Sequence, residues 1–292
     1  MNVSETLISI LFTGTAYAMV LYIISVGLSI TMGLLGIANL AHGAFAMAGG
    51  YLLITLLNRL TLPFGLALVL SAVIVAGFSV VLERLLYARV YKAGEFDQVL
   101  LSVGLIFVAS AIAQYVYGPI PKTVAVPLSL TGNIDLGLRT FPVYRIFLVA
   151  TGVAIFVMLL IVIERTNIGM RIRATVDNRA MAEAIGINTK TLFSVVFAVG
   201  SALAAIGGGL GGDMIAITPG YPLENLAYFL IVVSIGGLGT VSGPFLAALL
   251  LGIGDSACKI LVPQFGAFFI YLSLFGFLLL RPGGLLNRVQ EQ

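Results

Sequence analysis

Few side chains in this 292-residue chain could do chemistry, and their spacing assembles no reaction centre. The single histidine, His42, stands three residues after Asn39, so on a helix the two would share a face. One imidazole without nearby carboxylates or thiols suits a hydrogen bond at a helix break, or a polar group lining a passage, better than a metal site. Asp255 and Lys259 stand four apart in an apolar stretch. That is the spacing of an intrahelical ion pair, which lowers the cost of holding both charges near hydrocarbon; ion coupling is the alternative role. Cys258 is the only thiol, so no disulfide or Cys-based metal centre can form within the chain. No Ser/His/Asp set, zinc-protease pair or paired carboxylates stand out, and no G-x-x-x-x-G-K loop followed by Ser or Thr is present. An enzyme is therefore not expected. No catalytic or metal-binding residue is assigned, and work driven by ATP needs another polypeptide to bind it.

The elements that position these groups are membrane helices. The chain is 60% hydrophobic and 9% charged, far outside the soluble globular range. Stretches free of Asp, Glu, Lys and Arg cover 6–58, 60–82, 98–121, 146–163, 191–212, 225–254 and 260–280. These lengths fit helices rather than the ~10-residue alternating segments of a barrel. The expected spans are 7–33, 41–57, 63–82, 99–117, 143–163, 191–212, 225–239, 244–262 and 266–281. The seventh is short enough to be re-entrant, so eight spans fit as well as nine. The expected fold is an all-α polytopic membrane protein forming a single transmembrane domain over 1–292. The N-terminus lacks a positive n-region and reads as the start of the first span.

Charge sets the orientation. Arg84, Arg89 and Lys92 lie in 83–98, Arg281 and Arg288 in the tail, and Arg165, Arg171, Arg173, Arg179 and Lys190 in 164–190. All three segments fall on one side of the alternation, which the positive-inside rule makes cytoplasmic. Arg59, Lys122 and Arg139 fall on the other. The C-terminus is then cytoplasmic and, with nine spans, the N-terminus is outside. Net charge +3 without a basic stripe interleaved with aromatics implies no nucleic-acid partner. The loop 118–142 carries prolines, glycines and the alternating stretch TVAVPLSL, which suggests turns and a β-hairpin. It is either a connector or a surface for an external partner. Asp213 and Glu224 bracket a further loop on the same side.

Segment 164–190 is a polar island between two apolar spans. Asp177 is expected to cap a short helix over 178–185, with Gly186 at its left-handed end. Met181 and Ile185 share one face of it. Two turns are marginal alone in water, so the helix needs a partner surface; a headgroup-contacting loop is the plainer reading.

Glycines interrupt two stretches, 32–53 and 235–254. Paired breaks in two halves point to a pathway between structural repeats, whereas close helix packing, as at Gly208 and Gly212, explains glycine without one.

Three stretches, GLLGIANLAHGAFAMAGGYL (33–52), GMRIRATVDNRAMAEAIGIN (169–188) and IGGLGTVSGPFLAALLLG (235–252), resemble signature segments of LivH-type permeases. These are inner-membrane subunits of ABC importers for branched-chain amino acids, and the resemblance covers essentially the whole chain. It implies an ABC importer permease fold and a second, LivM-like permease subunit in the membrane lipid. It also implies cytoplasmic ATP-binding subunits that use the ATP, and a periplasmic or extracytoplasmic substrate-binding protein. No cofactor is implied in this chain. Asp177, Asn178, Arg179, Ala182, Glu183 and Gly186 would form the ATPase-coupling region within 164–190. Asn39, His42 and Gly43, with Gly236, Gly237 and Gly239, would lie near the translocation pathway. Relatives of this kind also move urea and amides, and a stand-alone ion-coupled transporter or channel is the rival from another class.

Overall fold

A computed structural model describes residues 3–36, 39–91, 93–135, 140–266 and 268–280. Helix α1 (Val3–Leu35) is apolar on every face, as suits a helix enclosed by others, and every residue from Ala18 to Thr31 is buried. Its 33 residues make it about 50 Å long, more than the ~30 Å of bilayer hydrocarbon. Helices α2 (His42–Leu60) and α3 (Phe64–Leu82) follow, and α3 continues through a π-helical turn (Glu83–Tyr87) into α4 (Ala88–Val90). Next come α5 (Glu95–Tyr117), strands β1 (Asn133–Asp135) and β2 (Thr140–Pro142), and α6 (Val143–Arg165). The island holds α7 (Asn167–Asp177) and α8 (Arg179–Ala184). The chain then forms α9 (Thr189–Gly211), α10 (Tyr221–Glu224), α11 (Leu226–Gly236), α12 (Ser242–Leu261) and α13 (Phe269–Leu280).

Among the described residues, 7 helices are long and apolar enough to cross a membrane. The spans expected at 225–239 and 266–281 correspond to α11 and α13, of 11 and 12 residues, each short of the ~20 that a straight crossing needs. Arg84 and Arg89 share a cavity wall with Arg179 and Lys190. Arg59 and Lys122 line a hollow elsewhere, and Arg145 Nη1 donates to Thr13 Oγ1 at 2.8 Å. Lys92, Arg139, Arg281 and Arg288, and with them the C-terminal tail, lie outside the described residues.

The hairpin expected in 118–142 is present, with TVAVPLSL outside its strands. TVAVPLSL does not pair with itself: Lys122 bridges Ile217, and Val124 N donates to Gly212 O at 3.1 Å. Pro127, which lacks an N–H, leads into a 3-10 turn at Leu128–Leu130. The antiparallel pair is β1 with β2, in register Asn133↔Pro142.

Packing centres on α9, which lies against α1, α2 and α3, while α1 also meets α6, α11 and α12. Lipid is as apolar as leucine, so helices associate here through close contact rather than burial from water. Gly208 shows how close: a Cβ there would stand 2.0 Å from the Ala46 carbonyl oxygen on α2. Gly208→Ala should destabilise the fold by about 1–3 kcal/mol through overpacking. Gly77→Ala, at a site with nothing within 4 Å, should be neutral. Thermal unfolding followed by monodispersity in detergent checks both, and equal midpoints for the two variants would remove the α2–α9 contact from this account.

Candidate functional site

The island folds as two helices joined by one residue. Thr166 caps α7, its Oγ1 accepting from Gly169 N at 3.3 Å. Asn178, extended at φ −155° and ψ 101°, ends α7 and caps α8, its Oδ1 accepting from Met181 N at 3.0 Å. The cap expected of Asp177 therefore belongs to Asn178. Asp177 is the last residue of α7, and a one-residue joint leaves only the joint's own side chain in the capping position. Gly186 closes α8 at φ +88°, with Ile187 N donating to Ala182 O and Gly186 N to Glu183 O. That is a Schellman closure, which favours glycine because a Cβ strains the left-handed region.

Side chains of α8 divide by face. Ala182 is 1% exposed and turned into the protein, whereas Met181 and Ile185 are 61% and 68% exposed. Asp177, Asn178, Arg179 and Glu183 are exposed as well. Glu183 accepts from Thr189 Oγ1 at 2.6 Å and from Arg179 Nε at 3.1 Å. These two donors hold its carboxyl below the ordinary carboxylate range, the Thr189 hydroxyl contributing most. The Arg179 guanidinium also lies 4.7 Å from the centroid of the Phe193 ring on α9. Beside it opens a cavity of about 540 Å³, lined by Glu83, Arg84, Arg89, Arg179, Lys190 and Ser194 among others. An exposed helix with an apolar edge therefore stands next to a hollow rimmed by cations.

The residues expected along a pathway divide into two groups. Asn39 and His42 are 2% and 1% exposed and point to different partners. Asn39 precedes α2 rather than lying on it, so the helical face it was expected to share with His42 does not exist. Its Oδ1 accepts from Tyr87 OH at 2.8 Å, whereas His42 Nε2–H donates to Ile24 O at 3.0 Å. Gly43 lies against Pro222, at the start of α10. Gly236, Gly237 and Gly239 lie elsewhere, where the α11–α12 link is strapped onto α1. Gly239 N donates to Ser29 O at 2.9 Å, and Ser29 Oγ donates to Gly237 O and Thr240 O. Ser29 is five residues beyond Ile24 on α1, about 8 Å by the helical rise.

Segment 235–254 meets 32–53 at Gly239, which lies against Gly33 near the end of α1. Segment 212–225 meets it as well, on the α2 side: Pro222 lies against Gly43, and Ile217, fully buried, has its side chain against Gly50 and its carbonyl accepting from Tyr51 OH at 3.4 Å. Asp255 and Lys259 form the expected pair at 2.6 Å, the carboxylate buried and the ammonium half exposed.

Sequence reading passed over Glu83, which looked like one of several charges in 83–98. It is 3% exposed, and its carboxylate accepts from Tyr91 OH and, at 2.7 Å, from Ser194 Oγ. The available signal was an acid placed directly at the end of an apolar span with no basic residue four positions on.

Comparison with known proteins agrees with this architecture. The high-affinity branched-chain amino acid transport system permease protein BraD of Pseudomonas aeruginosa is 27% identical, over 99% of this chain and 97% of that one. The corresponding permease protein LivH of Escherichia coli K12 is 25% identical over 97% of this chain and 96% of its own. Among solved structures, PsaBC from Streptococcus pneumoniae in complex with Fab shares the fold. Its TM-score is 0.51 at 14% identity, covering 96% of this chain and 95% of that one. The profile of one family spans residues 10–279, and the chain belongs to that family, the permease component of the branched-chain amino acid transport system.

Proposed function

We propose that this chain is the membrane-spanning permease subunit of an ABC importer that moves branched-chain amino acids across a bacterial inner membrane, powered by separate ATPase subunits. Membership of the permease family supports the transport role. The observation that carries the docking assignment is the exposed α7–α8 pair beside the cation-rimmed cavity, in a chain with no phosphate-binding loop. On this reading, Asp177, Asn178, Arg179, Ala182, Glu183 and Gly186 build the coupling region. Met181 and Ile185 enter a groove on the ATPase.

The basic end is cytoplasmic, and the chain crosses the membrane nine times, starting outside. In that count, α13 is the ninth crossing, and the irregular segment after α9 together with α10 and α11 makes one interrupted crossing. Solute arrives from an extracytoplasmic receptor and passes between this chain and a second, LivM-like permease. Asn39, His42 and Gly43 then serve the pathway by holding the α1–α2 break, and Gly236, Gly237 and Gly239 by holding the α11–α12 link against α1. The rival ion-coupled reading would draw on intramembrane charges such as Asp255, which is paired with Lys259.

Arg179→Glu and Glu183→Arg should each lower uptake-coupled ATP hydrolysis in proteoliposomes holding the full importer, while membrane insertion stays normal. Normal coupling in both variants, or uptake by the chain alone driven by an ion gradient, would overturn the reading. The Glu183 carboxyl gives a second test. Because its folded pKa is depressed, its contribution to the α8 region is present above the ordinary carboxylate pKa and is lost as pH falls through the folded value. Thr189→Val should raise the Glu183 midpoint in carbon-detected NMR of the detergent-solubilised chain. An unchanged midpoint would contradict the Thr189 hydrogen bond as its main cause.

A further inference from the structure

The π-helical turn Glu83–Tyr87 touches α9 on one side and Asn39 of the α1–α2 break on the other, and reaches the docking helix α8 through the Phe193 ring. On the docking side, the Glu83 carboxylate is buried and takes hydrogen bonds from Tyr91 and from Ser194 on α9. The Tyr91 ring meets the Phe193 ring at 86° and 5.8 Å, and the opposite partner of Phe193 is the Arg179 guanidinium of α8. On the break side, four residues along, Tyr87 is fully buried. It donates to Asn39 Oδ1 at 2.8 Å, with its ring 5.1 Å from Phe197. Each contact in this chain is a hydrogen bond or a ring contact, and Glu83 and Tyr87 sit on one short piece of backbone.

We propose that Glu83 is a positioning residue for transport. It clamps the π-turn to α9, so that displacement of α8 by a docked partner moves Tyr87 and, through it, the Asn39 segment of the α1–α2 break. Three features of the site favour this role over plain structural support. A carboxylate buried at the end of a membrane span is costly unless its hydrogen bonds are kept, so the turn and α9 move together or not at all. A π-turn is a local irregularity in an α-helix of the kind found frequently at functional sites. Finally, Arg179 holds both α8, through Glu183, and α9, through Phe193, so a pull on the docking helix reaches the clamp within two side chains. The inference rests on α8 being the docking helix.

The test uses the complete importer, with its ATPases and receptor, in proteoliposomes, and reads solute taken up per ATP hydrolysed. Glu83→Gln preserves shape, but its amide can accept hydrogen bonds only through one oxygen. It should lower that ratio by at least about fivefold, the low end of coupling free energies between sites. Tyr87→Phe, which removes only the hydroxyl, should lower it in the same direction. In an Arg179→Ala background, Glu83→Gln should add little, because both changes interrupt one chain of contacts. If Glu83→Gln does not fold, Tyr91→Phe and Ser194→Ala, each removing one donor to the same carboxylate, take its place under the same expectation. An unchanged ratio in the Glu83 variant or its substitutes, or simple additivity with Arg179→Ala, would overturn the proposal. If instead reversing Arg179 and Glu183 leaves coupling normal, it is the docking assignment that fails.

Discussion

Every backbone N–H and C=O inside hydrocarbon needs a partner from the protein, and the rest of this architecture depends on how the broken helices meet that demand. A straight helix satisfies itself, so the constraint bears on the interruptions. At the α11–α12 link, Ser29 supplies its backbone carbonyl to Gly239 N and its hydroxyl to two carbonyls of the link. At the segment after α9, Lys122 and Ile217 exchange backbone hydrogen bonds, and Tyr51 donates to the Ile217 carbonyl. In each case α1, α2 or the loop after α5 supplies the partner, which fixes where each interruption can sit.

Satisfying those groups requires backbones to approach closely, and this accounts for the small residues on the contact faces. Gly27 and Gly200 bring α1 against α9, Gly208 brings α9 against α2, and Gly252 brings α12 against Ala18. Such contacts permit little adjustment between the paired backbones. The α7–α8 pair is more exposed, and is held by caps, by the Glu183–Arg179–Thr189 cluster and by the few residues it buries, Ala182 and Thr175 among them. The π-turn after α3 connects toward that pair through hydrogen bonds and ring contacts.

A permease driven by a separate motor needs a surface for the motor, a way to carry its movement inward, and a segment in the bundle that responds. On the proposed reading, the exposed Met181 and Ile185 edge of α8 is the first, the contacts through Phe193, Glu83 and Tyr87 are the second, and the Asn39–His42 break is the third. Asp255 and Lys259 pair with each other and take no part in that chain.

Sequence alone determined the membrane class, seven of the expected spans to within a few residues, and the polar island, because length without charge is a property of the chain itself. It also placed the Gly186 helix end and the Asp255–Lys259 pair, whose signals lie within four or five neighbouring residues. It could not place what depends on distant partners. Asp177 and Asn178 are both good caps by composition, and only the one-residue joint between α7 and α8 decided for Asn178. The strand pair formed at β1 and β2 because Val124 and Lys122 were already taken by Gly212 and Ile217. Glu83 looks like any charge beside a span, yet it is buried because Ser194, 111 residues away, stands opposite it. Tertiary structure decided these points for one physical reason. A hydrogen bond or a close contact belongs to two surfaces, and local sequence describes only one of them.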